Sequence, residues 1–457
     1  MKSFLEKHFK GPGGIYPLLV IAFPMFLSCV FDMLMMFIDR LFLSRVGIVH
    51  QAAAMGGGVT SWSVTAFFAG VVGYASALVA QYYGAQRKAD CLRIIRQAIL
   101  LAIVSYPLVL LVHLIVIKLN VFGTHAPEEI VLETRYYWYM GFGAIISLIR
   151  FALGSFYIGI GRTKIILLAN VLALFVNIFA NWILIFGKLG CPALGLDGAA
   201  IGTLLAAAST AMVLVVGYRR IRRTPEWDLP VGEFFQPDKF KKLIKYGVPQ
   251  GIENILGTIC FTIVVSSFHS YGTEVASAIT IVYSWDGFSF QPLLGIQVGV
   301  TALVGQAMGQ RNPKIAERSA ISGFKTAIAF AFFNALLFSL ATATLVSVFA
   351  PEHGGLDYSV VRQHAIPMLR MAALYIVTDA ILLVSVGALR GAGDTFWSMC
   401  IHTGNNTIIS AVILLCVYKF HMHPYNVWII LVILSIISAL TLLTRYALGG
   451  WKKLQII

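Results

Sequence analysis

The sequence predicts an all-α membrane protein of twelve transmembrane helices, arranged as two parallel six-helix repeats, an N-lobe and a C-lobe. Three observations predict it. The chain has 457 residues, of which 58% are hydrophobic and only 12% are charged. Soluble domains carry about 25% charged residues, and a soluble protein this apolar would expose large greasy patches. Twelve apolar stretches recur, each long enough to cross a ~30 Å hydrocarbon core as a helix. Finally, the second half repeats the landmarks of the first at a fixed offset.

The elements follow in order. Residues 1–14 read as a cytoplasmic N-terminus carrying Lys2, Lys7 and Lys10. Span 1 (15–43) is too long for the core of a cleaved signal peptide, it holds Asp32 and Asp39, and no small-x-small cleavage site follows it. Spans 2 (52–80), 3 (94–119) and 4 (134–158) come next, the last with Arg150 inside it. Span 5 (165–187) contains Asn170, Asn177 and Asn181, whose spacing puts them on one helix face. They either hydrogen-bond a neighbouring helix or form a polar patch that orients a carboxylate or coordinates a cation. Span 6 (195–218) closes the N-lobe, 15–218. Residues 219–241 are a basic, proline-containing segment with the run Arg219-Arg220-Ile221-Arg222-Arg223. It reads as a cytoplasmic linker bearing positive-inside charge; the alternative is a regulatory or lipid-binding arm. The C-lobe, 242–446, holds spans 7 (242–269), 8 (276–306), 9 (319–349), 10 (362–389), 11 (396–419) and 12 (424–446). Residues 447–457 form a cytoplasmic C-terminus.

The repeat sets the architecture. At an offset of 225, Pro24 falls on Pro249, Gly47 on Gly272 and Gly70 on Gly295, and Ala77-Leu78-Val79-Ala80-Gln81 falls on Ala302-Leu303-Val304-Gly305-Gln306. At 232, Gly159-Ile160-Gly161-Arg162-Thr163 falls on Gly391-Ala392-Gly393-Asp394-Thr395. Six spans per half give both halves the same orientation, as in transporters that bind substrate between two repeats and rock one against the other. The net charge of +14 does not call for nucleic acid, because most of the Lys and Arg lie at the termini and in the even-numbered loops. That bias places both termini in the cytoplasm of a cell-membrane protein. The six cysteines show no CxxC spacing and read as small core residues.

Ionisable groups inside a span cost at least ~2.5 kcal/mol and are functional hypotheses by default. Asp32, Asp39, Glu253, Asp286 and Asp379 qualify. At the 225 offset Asp32 falls on Gly257, Asp39 on Val264, Glu253 on Ser28 and Asp286 on Ser61. The scaffold is therefore duplicated and its acids are not. Each acid also has a structural reading. Asp39 can form an interfacial ion pair with Arg40, Asp32 can bond a neighbouring span, and Glu253, after Gly247-Val248-Pro249-Gln250-Gly251, can bond backbone freed by a loosened helix. Arg150 is a candidate ion-pair mate for one of the acids.

Several motifs resemble the multidrug and toxic compound extrusion (MATE) family. They are Phe37-Ile38-Asp39 with Gly47, Leu78-Val79-Ala80-Gln81-Tyr82-Tyr83-Gly84-Ala85, Asn177-Ile178-Phe179-Ala180-Asn181 with Gly195-Leu196-Asp197-Gly198, and Leu389-Arg390-Gly391-Ala392-Gly393-Asp394-Thr395. They run in order along nearly the whole chain. The resemblance implies an antiporter with no cofactor, coupled to H⁺ or Na⁺. It places Asp39 at the family's first-helix coupling acid, with Asn177 and Asn181 beside it; some members have an acid where this chain has Asn181. It places Glu253 at a seventh-helix acid of one subgroup, and Asp286 and Asp379 at C-lobe acids. Na⁺, where it is the ion, would sit at Glu253, Asp286 and Asp379. Arg40 departs from the pattern, and a cation beside Asp39 favours its charged form.

The expectation is export of organic cations or drugs by a monomer whose partners are a small-molecule substrate and membrane lipid. Asp32 would bind substrate with Tyr283, Trp285 and Phe288, since ring faces attract cations by ~0.5–2 kcal/mol. Met33, Met35 and Met36 would adapt to varied ligands; all of these side chains can instead be core or lipid-facing packing. A lipid-linked or metabolite flippase of the same superfamily is the rival transporter, disfavoured by the few Lys and Arg within spans. A channel fits less well than a carrier, because the mid-membrane acids are not repeated between the halves. An enzyme has no support: His113 and His402 are isolated, and no nucleophile motif is present.

Overall fold

The structure, a computed structural model, describes residues 9–123, 126–230, 232–350 and 358–457. Lys2 and Lys7, part of the charge bias, lie outside the described residues. Twelve helices are long and apolar enough to cross a membrane: α1 Ile15–Val46, α2 Val49–Gly84, α3 Lys88–Lys118, α4 Pro127–Gly159, α5 Lys164–Phe186, α6 Leu196–Arg222, α7 Pro237–His269, α8 Thr273–Gly309, α9 Pro313–Leu340, α10 Tyr358–Ala392, α11 Thr395–Lys419 and α12 Pro424–Lys453. Among the described residues there is no strand. A six-residue helix, Thr342–Ser347, follows α9.

Local chemistry sets the helix ends. α5 stops at Gly187, whose φ of +67° lies in the left-handed region. α9 begins where Asn312 Oδ1 accepts from the Ile315 amide at 3.2 Å, with Pro313 in the first turn. Prolines 24, 107, 249, 292 and 367 lie inside helices that continue past them. Neighbouring helices in a bundle tolerate this by supplying partners for freed backbone groups. The Gly247–Gly251 run therefore does not loosen α7. Its glycines are there for close packing: a Cβ on Gly247 would come within 2.5 Å of Val71 O, and one on Gly251 within 2.6 Å of Phe67 O.

Packing divides the chain into two units. The first is Leu27–Ile255; the second joins the residues up to Phe26 with Leu256–Ile456. The division runs through the middles of α1 and α7, and so differs from the expected lobes 15–218 and 242–446. The repeat explains the difference. In the first unit, Gly70 of α2 faces Gly251 of α7, where a Cβ would lie 2.8 Å from the Gly251 Cα. In the second unit, its repeat mate Gly295 of α8 faces α1, where a Cβ would lie 2.9 Å from the Phe26 amide. The first halves of α7 and α1 thus play the same role in the two units.

The second matched block behaves alike. Gly159 packs against Val79 and Ala80, and Gly391 against Thr301 and Gly305. The turns that follow each use a left-handed glycine, Gly161 at φ +76° and Gly393 at φ +97°. The expected 219–241 linker is shorter in the structure, because α6 runs to Arg222 and α7 starts at Pro237; residues 223–230 and 232–236 form a strap laid on the first unit. Trp227 is fully buried, stacked 6.2 Å from Tyr83 and edge-on to Phe156. Gln97 donates to Phe234 O at 3.0 Å and accepts from the Gln236 amide at 3.3 Å. All six cysteines are free.

Candidate functional site

The first unit gathers polar groups around Asp39 of α1. Asn181 Nδ2 of α5 donates to Asp39 Oδ1 and, at 3.2 Å, to Asn177 Oδ1. Thr203 of α6 has its hydroxyl 3.3 Å from Asp39 Oδ2 and 3.0 Å from Ala199 O. Its single proton serves one of these acceptors at a time. Asn177 and Asn181 are both fully buried beside Asp39, and Asn181 Oδ1 has no hydrogen-bond partner. Buried polar atoms are almost always paired, so this cluster has capacity for a further ligand. Gly202 makes the seat, since a Cβ there would fall 2.0 Å from Asn181 Oδ1. Tyr136 of α4 closes the group beside Asp39 and Thr203.

Arg40 does not take up the expected ion pair. Its side chain is exposed, and among the described residues it forms no ion pair with Asp39. The ion pair that does form in this unit's α4–α6 contact is Arg135 with Asp197, at 3.3 Å. Nearer the middle of α1, Asp32 Oδ2 accepts from Asn170 Nδ2 at 3.3 Å. Arg150 of α4 lies close enough for its charge to act on Asp32. That guanidinium lies 5.3 Å from the Phe151 ring centroid, and no described residue pairs with it as an ion or hydrogen-bonds it. All three asparagines of α5 therefore face acids of α1, as their spacing suggested. Met33 and Met35 are half-buried and Met36 is exposed on the same helix. Glu253 is buried on α7, 4% exposed, and belongs to the first unit rather than to the C-lobe.

The second unit builds a different site. Asp286 of α8 and Asp379 of α10 lie close enough to feel each other's charge, and Tyr375 adjoins Asp286. Asp286 Oδ1 and Tyr375 Oη are both buried. Neither acid is in an ion pair among the described residues. The surround is aromatic. Tyr283 packs 5.2 Å from Phe261 and 5.9 Å from Trp428, and Tyr375 is 6.1 Å from Trp428. Trp428 is held in place by its Nε1 donating to Met368 O at 3.0 Å.

Of the aromatic residues expected near the acids, only Tyr283 meets the pair. Helix geometry decides this: residues three apart share a face, which groups 283 with 286 and 285 with 288. Trp285 instead donates to Leu345 O at 3.1 Å and packs on Phe288 and Phe349. Phe288 is 61% exposed. The expected trio for Na⁺ is divided, Glu253 in the first unit and Asp286 with Asp379 in the second. No three His, Cys, Asp or Glu side chains converge to hold a metal ion among the described residues.

Sequence reasoning missed Thr203, Tyr136, Tyr375 and Trp428. Tyr375 was findable, one helical turn before Asp379. The others carry no sequence signal, because each comes from a helix that contributes no acid. His113 is a packing residue: its Nδ1 lies 2.9 Å from Val109 O, which makes Nε2 the acceptor for Ser61 at 3.0 Å.

A family model described as MatE matches residues 24–183 and 249–415. Its two blocks begin at Pro24 and Pro249, the pair that opens the internal repeat. The chain is 25% identical over 444 residues to a probable multidrug resistance protein NorM of Mannheimia succiniciproducens, covering 94% of this chain and 92% of that one. It is 26% identical over 385 residues, 82% of each chain, to the protein of the same description from Bacillus anthracis. Two solved structures share the fold at 20% identity, each covering 96% of this chain and 97% of the other. One is a MOP superfamily transporter of Pyrococcus furiosus, described as having a binding pocket of reversed polarity, with a TM-score of 0.85. The other is an outward-facing multidrug resistance MATE transporter, with a TM-score of 0.84.

Proposed function

Because the chain belongs to the multidrug and toxic compound extrusion family, a family of transporters rather than enzymes, we propose that it is a secondary antiporter that exports organic cations or drugs in exchange for H⁺ or Na⁺. The observation that carries this reading is the buried Asp286–Asp379 pair, in no ion pair among the described residues and with the Tyr375 hydroxyl beside Asp286. Two carboxylates in an apolar surround are stabilised by a bound cation. The neighbouring Tyr283, Tyr375 and Trp428 rings suit an organic one.

The Asp39 cluster suits the coupling ion. One carboxylate with amide and hydroxyl oxygens (Asn177, Asn181, Thr203) is the donor set of a small hard cation or a proton. Neutralising an acid in one conformation and releasing it in another links the ion gradient to export.

A second reading concerns charge type. Arg150 stands near Asp32 without an ion pair or hydrogen bond. A drug carrying both an amine and an acid group would satisfy both residues. A lipid-linked substrate with several phosphates fits less well, since Arg150 offers a single positive charge.

Proteoliposome uptake of ethidium under separately imposed pH and Na⁺ gradients tests the proposal. Exchange driven by one gradient, and lost in Asp379→Asn and Asp39→Asn, is expected. Exchange that ignores both gradients, or that survives both substitutions, would sink it. For the second reading, Arg150→Gln should impair uptake of a zwitterionic fluoroquinolone while sparing ethidium.

A further inference from the structure

A cleft of about 560 Å³ opens at the linker end of the first unit, within the ~300–1,000 Å³ of small-molecule sites. Its floor is apolar: Ile99 of α3, Ile149 and Leu153 of α4, and Val215 of α6. Its rim is cationic, with Arg219, Arg222 and Arg223 at the end of α6. Val215 and Arg223 are eight residues apart, so at ~1.5 Å per residue the lining passes from apolar to charged over roughly 12 Å.

The arginines are not spent on the protein's own acids. A contrasting cluster lies nearby on α3, where Arg87, Arg93 and Lys239 all converge on Asp90 at 2.7, 3.0 and 2.8 Å. In the cleft, Arg222 donates a 3.4 Å hydrogen bond to Leu229 O. No ion pair forms at Arg219, Arg222 or Arg223 among the described residues, and Asp228 is the lone acid in the lining. Arg96 lies close enough to Arg222 to feel its charge as well, so positive charge is in excess. Arg96 is turned to the strap, donating to Gly232 O at 3.2 Å and to Glu233 O. The strap then sets Phe234 and Phe235 on the surface, 66% and 45% exposed. Surplus positive charge beside the end of a membrane helix attracts anionic lipid headgroups.

An apolar floor leading into a ring of surplus guanidinium groups matches a molecule with a hydrocarbon tail and an anionic head. Arginine pairs with phosphate oxygens bidentately. We propose that this cleft binds one anionic glycerophospholipid, its phosphate held by Arg219, Arg222 and Arg223 and its acyl chain laid on Ile99, Ile149, Leu153 and Val215. Such a lipid fastens the end of α6 to the strap and stabilises the first unit. The inference does not depend on which substrate the protein exports.

The test uses the full-length protein, delipidated and returned to nanodiscs, with fluorescent phosphatidylglycerol or phosphatidylcholine as the probe. Wild type should hold phosphatidylglycerol at least about tenfold more tightly, since each interfacial basic residue contributes ~1 kcal/mol toward an anionic surface. The triple variant Arg219→Gln, Arg222→Gln, Arg223→Gln should lose that preference. Ile149→Trp, which fills the floor and keeps every arginine, should lose binding too. Equal retention of the two lipids by wild type overturns the proposal. So does wild-type binding by Ile149→Trp, because the arginines would then act only as diffuse surface charge. Full displacement by soluble glycerol phosphate would assign the rim to a free phosphate compound and overturn the lipid. Size-exclusion profiles check that each variant is folded, and the wild-type comparison stands without either variant.

Discussion

At the scale of single residues, the Asp39 cluster turns on which groups it leaves unpaired. Asn181 uses both amide protons on Asp39 and Asn177, and its own oxygen is unpartnered against Gly202. Gly202→Ala pushes a methyl onto that oxygen, so it should act like Asn181→Ala. Both should raise the half-saturating concentration of the coupling ion by about tenfold or more, the worth of one hydrogen bond to a charged group. Thr203→Val should do less, because Asn181 still donates to Asp39. Dose–response curves for ion-driven ethidium exchange check the order, and a Thr203→Val effect exceeding Asn181→Ala would contradict it. In the second unit, Asp286→Asn and Asp379→Asn should each remove most exchange, and the double variant should be little worse than either. Groups in contact are not additive. A double-mutant cycle on initial rates measures this, and simple additivity would mean that the two carboxylates act separately.

At the scale of helices, glycine decides which helices touch. α7 meets α2, and α1 meets α8, through glycines that the duplication carried to the same places. Gly251→Val and Gly295→Val should both lower the midpoint of thermal unfolding in detergent, each costing about 1–3 kcal/mol as overpacked contacts do. Gly154→Ala is the control. It has nothing within 4 Å of an added Cβ, and a helical glycine replaced by alanine gains up to ~1 kcal/mol. The strap is the other element that can be tested. Gln97→Ala and Trp227→Ala remove two of its anchors. Trypsin should then cut the Arg219–Arg223 run faster than in wild type, and unchanged digestion would show that the strap is held some other way.

At the scale of the whole molecule, the proposed exchange makes a prediction about voltage. One monovalent substrate leaving for one cation entering moves no net charge. A potassium–valinomycin potential, worth ~2.3 kcal/mol per charge per 100 mV, should then leave initial rates unchanged while the ion gradient sets them. A rate that follows the potential would show unequal charge exchange and would require more than one coupling ion per turnover.

Much of this was legible in the sequence. Hydrophobicity and length determined twelve spans, because the lipid core demands long apolar helices whatever their neighbours are. The offsets of 225 and 232 determined a duplicated scaffold, and Gly70 with Gly295 and Gly159 with Gly391 make matching contacts. The spacing of Asn170, Asn177 and Asn181 determined one polar face, since helix periodicity is local. Tertiary structure alone decided what those faces meet. It put Glu253 with the first unit, because the α7 glycines let that half-helix pack on α2. It turned Arg40 outward and left Arg150 beside Asp32. It also brought Thr203 and Tyr136 to Asp39, and Trp428 to Tyr283 and Tyr375. Contacts between distant segments depend on crossing positions and rotations, which small side chains set at a few points, and no periodicity along one helix records its rotation against the next.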